Sequence, residues 1–432
     1  MLVCGVLIGD QKPEPEGELS ELIGLVKAAG GEVVGEPITQ RRERPHAATA
    51  MGKGKVEEIK IEVDAYKPDA VVVDNDLTPA QGRNLEKAWE CRVIDRSELI
   101  LDIFAGRART RQAKLQVELA QNEYMAPRLR RMWTHLERLE GAIGSRGPGE
   151  TQLETDRRLL RKRISDLKRE LRTIEERKLR EVVSRSDQFT IGLVGYTNAG
   201  KSTLMNKLTN AGVLVADMLF ATLDTRTRQW KLKDGRTVLL SDTVGFLGRL
   251  PHHLVASFHA TLEETLNADL LLHVVDASHP DAVEQMGAVD EVLESLAHST
   301  RAGVLVLNKI DNVVDPIELQ FLAKDRTERI CHLSAVTGEG VDRLDAMIAK
   351  MLDARSALLR IRLPLADGRT AALVRQYGLI EEELVEGDQN LVFRVRMDEG
   401  ALGNLKRAAG GDLHCEVLEP AIEPLIEQGE IL

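Results

Sequence analysis

Phe189-Thr190-Ile191-Gly192-Leu193-Val194 runs directly into Gly195-Tyr196-Thr197-Asn198-Ala199-Gly200-Lys201-Ser202, and Thr203–Leu208 continues with helical spacing. The order is apolar strand, glycine-rich loop, helix, the start of a parallel sheet covered by helices. Glycines let backbone N–H groups close around phosphate oxygens, and a helix start adds partial positive charge. Lys201 is placed to reach the β/γ oxygens and Ser202 to ligate Mg²⁺. Average residue frequencies produce this eight-residue pattern about once in a hundred chains of this length. The expected phosphate-contacting stretch is Gly195, Tyr196, Thr197, Asn198, Ala199, Gly200, Lys201, Ser202 and Thr203.

Downstream, Val238–Ser241 reads as a strand ending in Asp242-Thr243-Val244-Gly245. A carboxylate there can hold a water ligand of Mg²⁺, and the Gly245 amide can touch a γ-phosphate. A second strand, Val304–Leu307, delivers Asn308-Lys309-Ile310-Asp311. The Asp311 carboxylate can accept from both N1–H and the 2-amino group of guanine, whereas adenine offers neither donor, so the implied nucleotide is GTP. Leu333 leads into Ser334-Ala335-Val336, suited to a backbone contact with the guanine carbonyl. Between loop and carboxylate lies Phe220-Ala221-Thr222-Leu223-Asp224-Thr225. A switch threonine must ligate Mg²⁺ only while the γ-phosphate is present. Thr222 is the first choice, with Thr225 and Thr227 as competitors. Lys201, Thr222 and Gly245 are the groups expected to act on the reacting phosphate. Phe246 follows Gly245, where many GTPases carry a water-orienting glutamine, so the expectation is a GTPase of slow basal turnover accelerated by a partner. Asn198 is a candidate for holding K⁺ beside the phosphates.

Outward on the N-terminal side, the 432-residue chain changes character. Its net charge is −11, yet Ala105–Arg185 carries 21 Lys and Arg against 12 Asp and Glu. One basic element in an acidic protein implies either a polyanion partner or a solvated helix pair. Leu115, Leu119, Asn122, Ala126, Leu129, Trp133 and Leu136 step by four and three residues. So do Leu153, Leu160, Ile164, Leu167, Leu171 and Ile174, with one position skipped. Two such seams predict an antiparallel helical hairpin kinked at Pro127, with arms of about 45 Å. The glycine-rich tip, residues 141–150, either threads a narrow space or lays backbone amides against phosphates, with Arg146 as its charge, or is a floppy connector.

Residues 1–104 alternate strand-like runs (Val3–Ile8, Glu32–Val34, Ala70–Val73, Val93–Ile94) with helical stretches (Leu19–Ala28, Val56–Tyr66, Pro79–Trp89), an α/β domain. Its Gly52-Lys53-Gly54-Lys55 reads as an ordinary turn opening a helix rather than a phosphate loop. The nucleotide domain spans 186–355. Residues 356–432 read β-α-β-β-α-β, a ferredoxin-like α+β order that identifies no function by itself. The fold class is therefore multidomain α/β: N-terminal domain 1–104, basic hairpin 105–185, P-loop GTPase domain 186–355 and C-terminal domain 356–432. Four widely spaced cysteines argue for reduced thiols, and neither a basic leader nor a run of about 18 apolar residues is present. A cytoplasmic protein is expected, with peripheral membrane association left open.

The chain resembles the HflX family of ribosome-associated GTPases along essentially its whole length. The resemblance is carried by Gly144-Ser145-Arg146-Gly147-Pro148-Gly149-Glu150-Thr151-Gln152-Leu153-Glu154-Thr155-Asp156-Arg157-Arg158, then by Gly195–Ser202, Phe220–Asp224, Asp242–Phe246 and Asn308–Asp311. Asp224-Thr225-Arg226 departs from the Asp-Pro-Thr of the family pattern, which bears on the choice of switch threonine. The resemblance implies binding to the large ribosomal subunit in the GTP state and splitting of stalled or idle ribosomes, often under heat stress. It implies that the hairpin tip reaches the peptidyl-transferase region and raises ATP binding by the N-terminal domain. Contacts to ribosomal RNA would run through phosphates, from Arg128, Arg130, Arg131, Arg146, Arg157, Arg158 and Arg161. Aromatics make up only 3% of residues, which argues against base stacking as the main mode. Other readings are a GTPase of large-subunit assembly, a signalling GTPase that binds only proteins, and an ATP-fuelled RNA remodeller.

Overall fold

Strands buried on both faces read as unbroken apolar runs, as Ala70–Val73 and Val304–Leu307 do. In the computed structural model the described residues are 1–9, 19–129, 148–183, 189–209, 226–242, 245–246, 268–296, 303–324, 326, 329–387, 389–409 and 413–421. The first sheet is wholly parallel, in the order β2-β1-β3-β4, from β1 (Leu2–Ile8), β2 (Ile38–Arg42), β3 (Ala70–Val73) and β4 (Arg92–Asp95). Alternate residues feed opposite faces. Leu2, Cys4, Val71 and Val73 pack with Val56, Ile59, Leu85 and Trp89 of helices α2 (Lys53–Tyr66) and α3 (Pro79–Trp89). Val3, Val72 and Ile94 pack instead with Leu22 and Leu25 of α1 (Ser20–Ala28) and with Leu99 and Ile103 of α4 (Arg96–Arg107). Helix α3 starts at a full capping box, Thr78 with Gln81, with Pro79 in the first turn.

One expectation for this region is corrected, and one strand is new. Glu32–Val34 is not a strand; it is held by Val34 N–H to Met1 O and by the Met1 amino group to Glu32 O. The true edge strand is Ile38–Arg42, whose polar residues carry no apolar alternation.

Helix α5 (Arg111–Met125) faces two ways. Ala113, Val117, Ala120 and Tyr124 join the N-terminal core, while Leu115 and Leu119 meet Leu167 and Leu171 of α6 (Pro148–Val183). At 36 residues, α6 extends about 54 Å. Arg163 clasps Glu118 with Nε and Nη2 donating to its two carboxylate oxygens, at 2.6 and 2.8 Å. At Pro127 the chain tightens into a 3₁₀ turn, Ala126–Arg128. Trp133, Leu136 and most of the glycine-rich tip lie outside the described residues; Pro148, Gly149 and Glu150, assigned above to the tip, are already helical.

The second sheet has the order β10-β9-β8-β5-β7-β6, from β5 (Thr190–Val194), β6 (Arg226–Lys231), β7 (Thr237–Asp242), β8 (Leu270–Asp276), β9 (Gly303–Asn308) and β10 (Arg329–His332). Only β6 runs antiparallel to its neighbour. Strand order reverses at β5, so its carboxyl end opens into the crevice where ligands of such sheets bind. Helix α7 (Lys201–Thr209) follows β5, α8 (Ala282–Leu296) follows β8, and α9 (Pro316–Ala323) and α10 (Val341–Arg355) are the other α-helices among its described residues. Ser356 alone joins α10 to the last sheet, ordered β12-β13-β11-β14. Its strands are β11 (Ala357–Pro364), β12 (Leu379–Glu386), β13 (Asn390–Met397) and β14 (His414–Glu419), all antiparallel. Helices α11 (Gly368–Tyr377) and α12 (Glu399–Ala408) cover one face through Val374, Ala401 and Leu405. On the other face Arg360, Arg362 and Arg396 pair with Glu416, Glu386 and Glu419 across the strands.

Candidate nucleotide-binding site

The loop from Gly195 to Gly200 turns at the carboxyl end of β5 against the ends of β8 and β9. Gly195 has φ +150°, and a Cβ there would stand 2.1 Å from Val274 O of β8. Gly200 has φ +93°, and its Cβ would meet Asn308 Nδ2 at 2.2 Å. Both positions exclude a side chain by backbone conformation and by space. Asn198 sits exposed in the left-handed region at φ 63°, and Thr203 lies in the first turn of α7.

Lys201 is buried, and its Nζ donates to Gly195 O at 2.9 Å and Tyr196 O at 2.7 Å. Burial pushes its ammonium down to about 8, with Asp242 opposing the shift. Ser202 Oγ donates to Asp242 Oδ2 at 2.8 Å. Two oxygen groups thus converge from α7 and β7, the hard donors that magnesium prefers. Thr222, the third expected magnesium contact, and its competitor Thr225 lie outside the described residues. Thr227 is within β6, its hydroxyl 2.9 Å from Ser241 Oγ.

On the base side, Asn308 knits three segments together. Its Nδ2 donates to Ala199 O at 2.8 Å, and its Oδ1 accepts from Ala335 N–H at 3.0 Å. Lys309 pairs with Asp276 at 2.6 Å, and Asp311 stands exposed in a short 3₁₀ turn, Ile310–Asn312. Ser334 is fully buried, with its Oγ accepting from Thr337 N–H, while Val336 is 72% exposed. The structure therefore brings the phosphate loop, Asp242, Asn308–Asp311 and Ser334–Val336 to one rim.

Three features were absent from the sequence reading. Phe246 is 2% exposed, its ring packed with Val194 and Val289, and its backbone bridges the loop: Thr197 N–H donates to Phe246 O at 2.6 Å and Phe246 N–H to Gly195 O at 3.1 Å. Asp276 is the partner that orients Lys309. Tyr196 reaches across the chain, its hydroxyl donating to Glu21 of α1, which in turn accepts from the buried Arg96; Arg96 also pairs with Asp74 at 2.6 Å. No local pattern signals such pairs, because the partners stand far apart in sequence.

Of the arginines expected at RNA, Arg130, Arg131 and Arg146 lie outside the described residues. Arg128 is corrected: it points inward, pairing with Asp95 at 3.0 Å, donating to Leu77 O at 2.7 Å and lying 3.6 Å over the Tyr124 ring. Its charge is committed to the N-terminal domain. Arg157 is half-buried on α6, and Arg158 and Arg161 are exposed there. The Gly52 turn starts α2 with Gly52 N–H bonded to Gln40 Oε1 and Lys55 paired with Glu58. No helix among the described residues is long and apolar enough to cross a membrane.

Comparison with known proteins bears on the same segments. Residues 16–105 match the N-terminal region of GTP-binding GTPases, 107–185 their middle region, and 190–309 the family described as 50S ribosome-binding GTPases. The GTPase HflX of Escherichia coli (strain K12) is 47% identical over 383 residues, covering 88% of this chain and 89% of that protein. That of Lacrimispora saccharolytica is 44% identical over 389 residues, covering 89% and 91%. Among solved structures, a GTP-binding protein of the archaeon Sulfolobus solfataricus in complex with GDP is 23% identical, with 81% and 98% coverage and a TM-score of 0.43.

Proposed function

The chain belongs to the HflX family of GTPases, and from that premise we propose that it binds the large ribosomal subunit in its GTP state and splits stalled or idle ribosomes. The observation that carries this reading is α6: one long helix exposes Arg158, Arg161 and Lys162 on its first half and is seamed to α5 on its second. A cationic arm of this kind suits the phosphates of ribosomal RNA, and the glycine-rich segment before it would be carried toward the peptidyl-transferase region. The C-terminal β-α-β-β-α-β unit is of the ferredoxin-like kind, supported by its strand order.

In the chemical cycle, the loop amides and Lys201 bind the phosphates, and Asp311 selects guanine. Ser202, Thr222 and, through water, Asp242 would hold Mg²⁺, which supplies charge neutralisation at the β and γ oxygens. The Gly245 amide engages the terminal phosphate. Phe246, turned into the core, leaves water orientation to other groups, so hydrolysis is slow until the ribosome stimulates it. A K⁺ ion at Asn198 would add charge to the same region, and GTPase rates compared in K⁺ and Na⁺ test that. A cytoplasmic setting follows from the ribosomal partner.

The test is sedimentation of purified ribosomes after incubation with the protein and a non-hydrolysable GTP analogue. Conversion to subunits supports the reading. Binding to immature large-subunit particles alone would replace it with a role in assembly, and absence of ribosome binding would remove both.

A further inference from the structure

With Phe246 buried, something else must orient the attacking water if the chain hydrolyses GTP by its own groups. Thr197, the third residue of the phosphate loop, is 6% exposed, and its Oγ1 has no hydrogen-bond partner among the described residues. A buried hydroxyl without a partner is rare in folded proteins and calls for a ligand or a water. Its surroundings say which. A Cβ built on Gly245 would lie 2.8 Å from Thr197 Cα and Cγ2 and 3.1 Å from Lys201 Nζ. Gly245 therefore lies against both Thr197 and Lys201, and since that glycine and lysine both meet a terminal phosphate, Thr197 is a neighbour of the same phosphate position. Its backbone N–H donates to Phe246 O at 2.6 Å, which anchors the main chain from which the side chain projects. A purely packing residue at this spot would need no hydroxyl, and valine has the same shape.

We propose that the Thr197 hydroxyl is a catalytic group of this GTPase, hydrogen-bonding the water that attacks the terminal phosphate in the role that Phe246 cannot fill. In that step the water oxygen bonds the terminal phosphorus, and the bond from phosphorus to the bridging oxygen breaks with its electron pair leaving on GDP. One water proton stays on the attacking oxygen, now part of the released phosphate, the other passes to a terminal phosphate oxygen and from there to solvent, and Thr197 is unchanged. The proposal rests on the nucleotide site alone and is independent of what the hairpin binds.

Single-turnover GTP hydrolysis, without ribosomes, is measured for Thr197→Val, which keeps the shape, and Thr197→Ser, which keeps the hydroxyl. Affinities for GDP and a non-hydrolysable GTP analogue are measured in parallel. The expected result is a rate loss of about tenfold or more in T197V, with both affinities within about threefold of the parent, and a rate near the parent's in T197S. A parental rate in T197V would overturn the proposal, as would a rate loss matched by an equal loss of analogue affinity. Should T197V unfold, T197S against Thr197→Ala gives the same comparison, and equal rates in those two would overturn it.

Discussion

Asp311 and Phe246 differ in what the fold leaves them free to do: Asp311 is exposed, as the proposed guanine contact must be, whereas Phe246 fills the core. Asp311 is exposed at the rim where Asn308 ties β9 to the phosphate loop and to Ala335. Asp311→Asn replaces a double acceptor by a group that must turn one donor toward guanine's own donors, so GDP affinity should fall about 10- to 100-fold. Xanthine, with a carbonyl in place of the 2-amino group, should regain part of the loss; titration with fluorescent GDP and XDP reads both. Phe246→Gln tests the other residue. Its side chain is enclosed by Val194 and Val289, so a glutamine there should cost about 1–3 kcal/mol of stability and bring no gain in hydrolysis, as read by thermal melting and single-turnover rate. The shape of the loop was legible in the sequence because its glycines stand at fixed places: Gly195 and Gly200 have no room for a Cβ. The inward turn of Phe246, the Asp276 clasp on Lys309 and the Tyr196–Glu21 contact were not legible, since each depends on partners brought together only by the fold.

At the scale of elements, periodicity foretold what is buried by one regular face and missed what is buried by two. The steps through Leu115 and Leu119 and through Ile164, Leu167 and Leu171 were readable as seams. Leu115, Leu119, Leu167 and Leu171 indeed meet, with Ile164 and Ile174 at their flank. Helix α5, though, also gives Ala113, Val117, Ala120 and Tyr124 to the N-terminal core, a second stripe hidden among polar residues. Leu167→Ala should therefore destabilise the α5–α6 pair by about 2–5 kcal/mol, seen as faster amide exchange along both helices, while GDP affinity holds. Strand Ile38–Arg42 was missed because an edge strand of this polarity lacks alternation, and Arg128 was misassigned because charge counting ignores direction. Arg128 meets a carboxylate that is 2% exposed. Arg128→Ala should cost about 3–5 kcal/mol, an effect read by denaturant melting.

Across the whole molecule, the surplus of basic residues in 105–185 sets one element against an acidic remainder. Part of that basicity is committed internally, as in the Arg163–Glu118 and Lys168–Glu123 pairs. Arg157, Arg158 and Arg161 remain on α6 as the described candidates for RNA. Replacing all three by alanine should lower the slope of log affinity against log salt for ribosome binding by about 2, and leave GDP binding as it was. The most direct measurement is the sedimentation profile of intact ribosomes incubated with the protein and a non-hydrolysable GTP analogue, run beside the GDP-bound protein. The expected result is conversion to free subunits with the analogue and intact ribosomes with GDP. Intact ribosomes under both nucleotides, with the protein left at the top of the gradient, would contradict it.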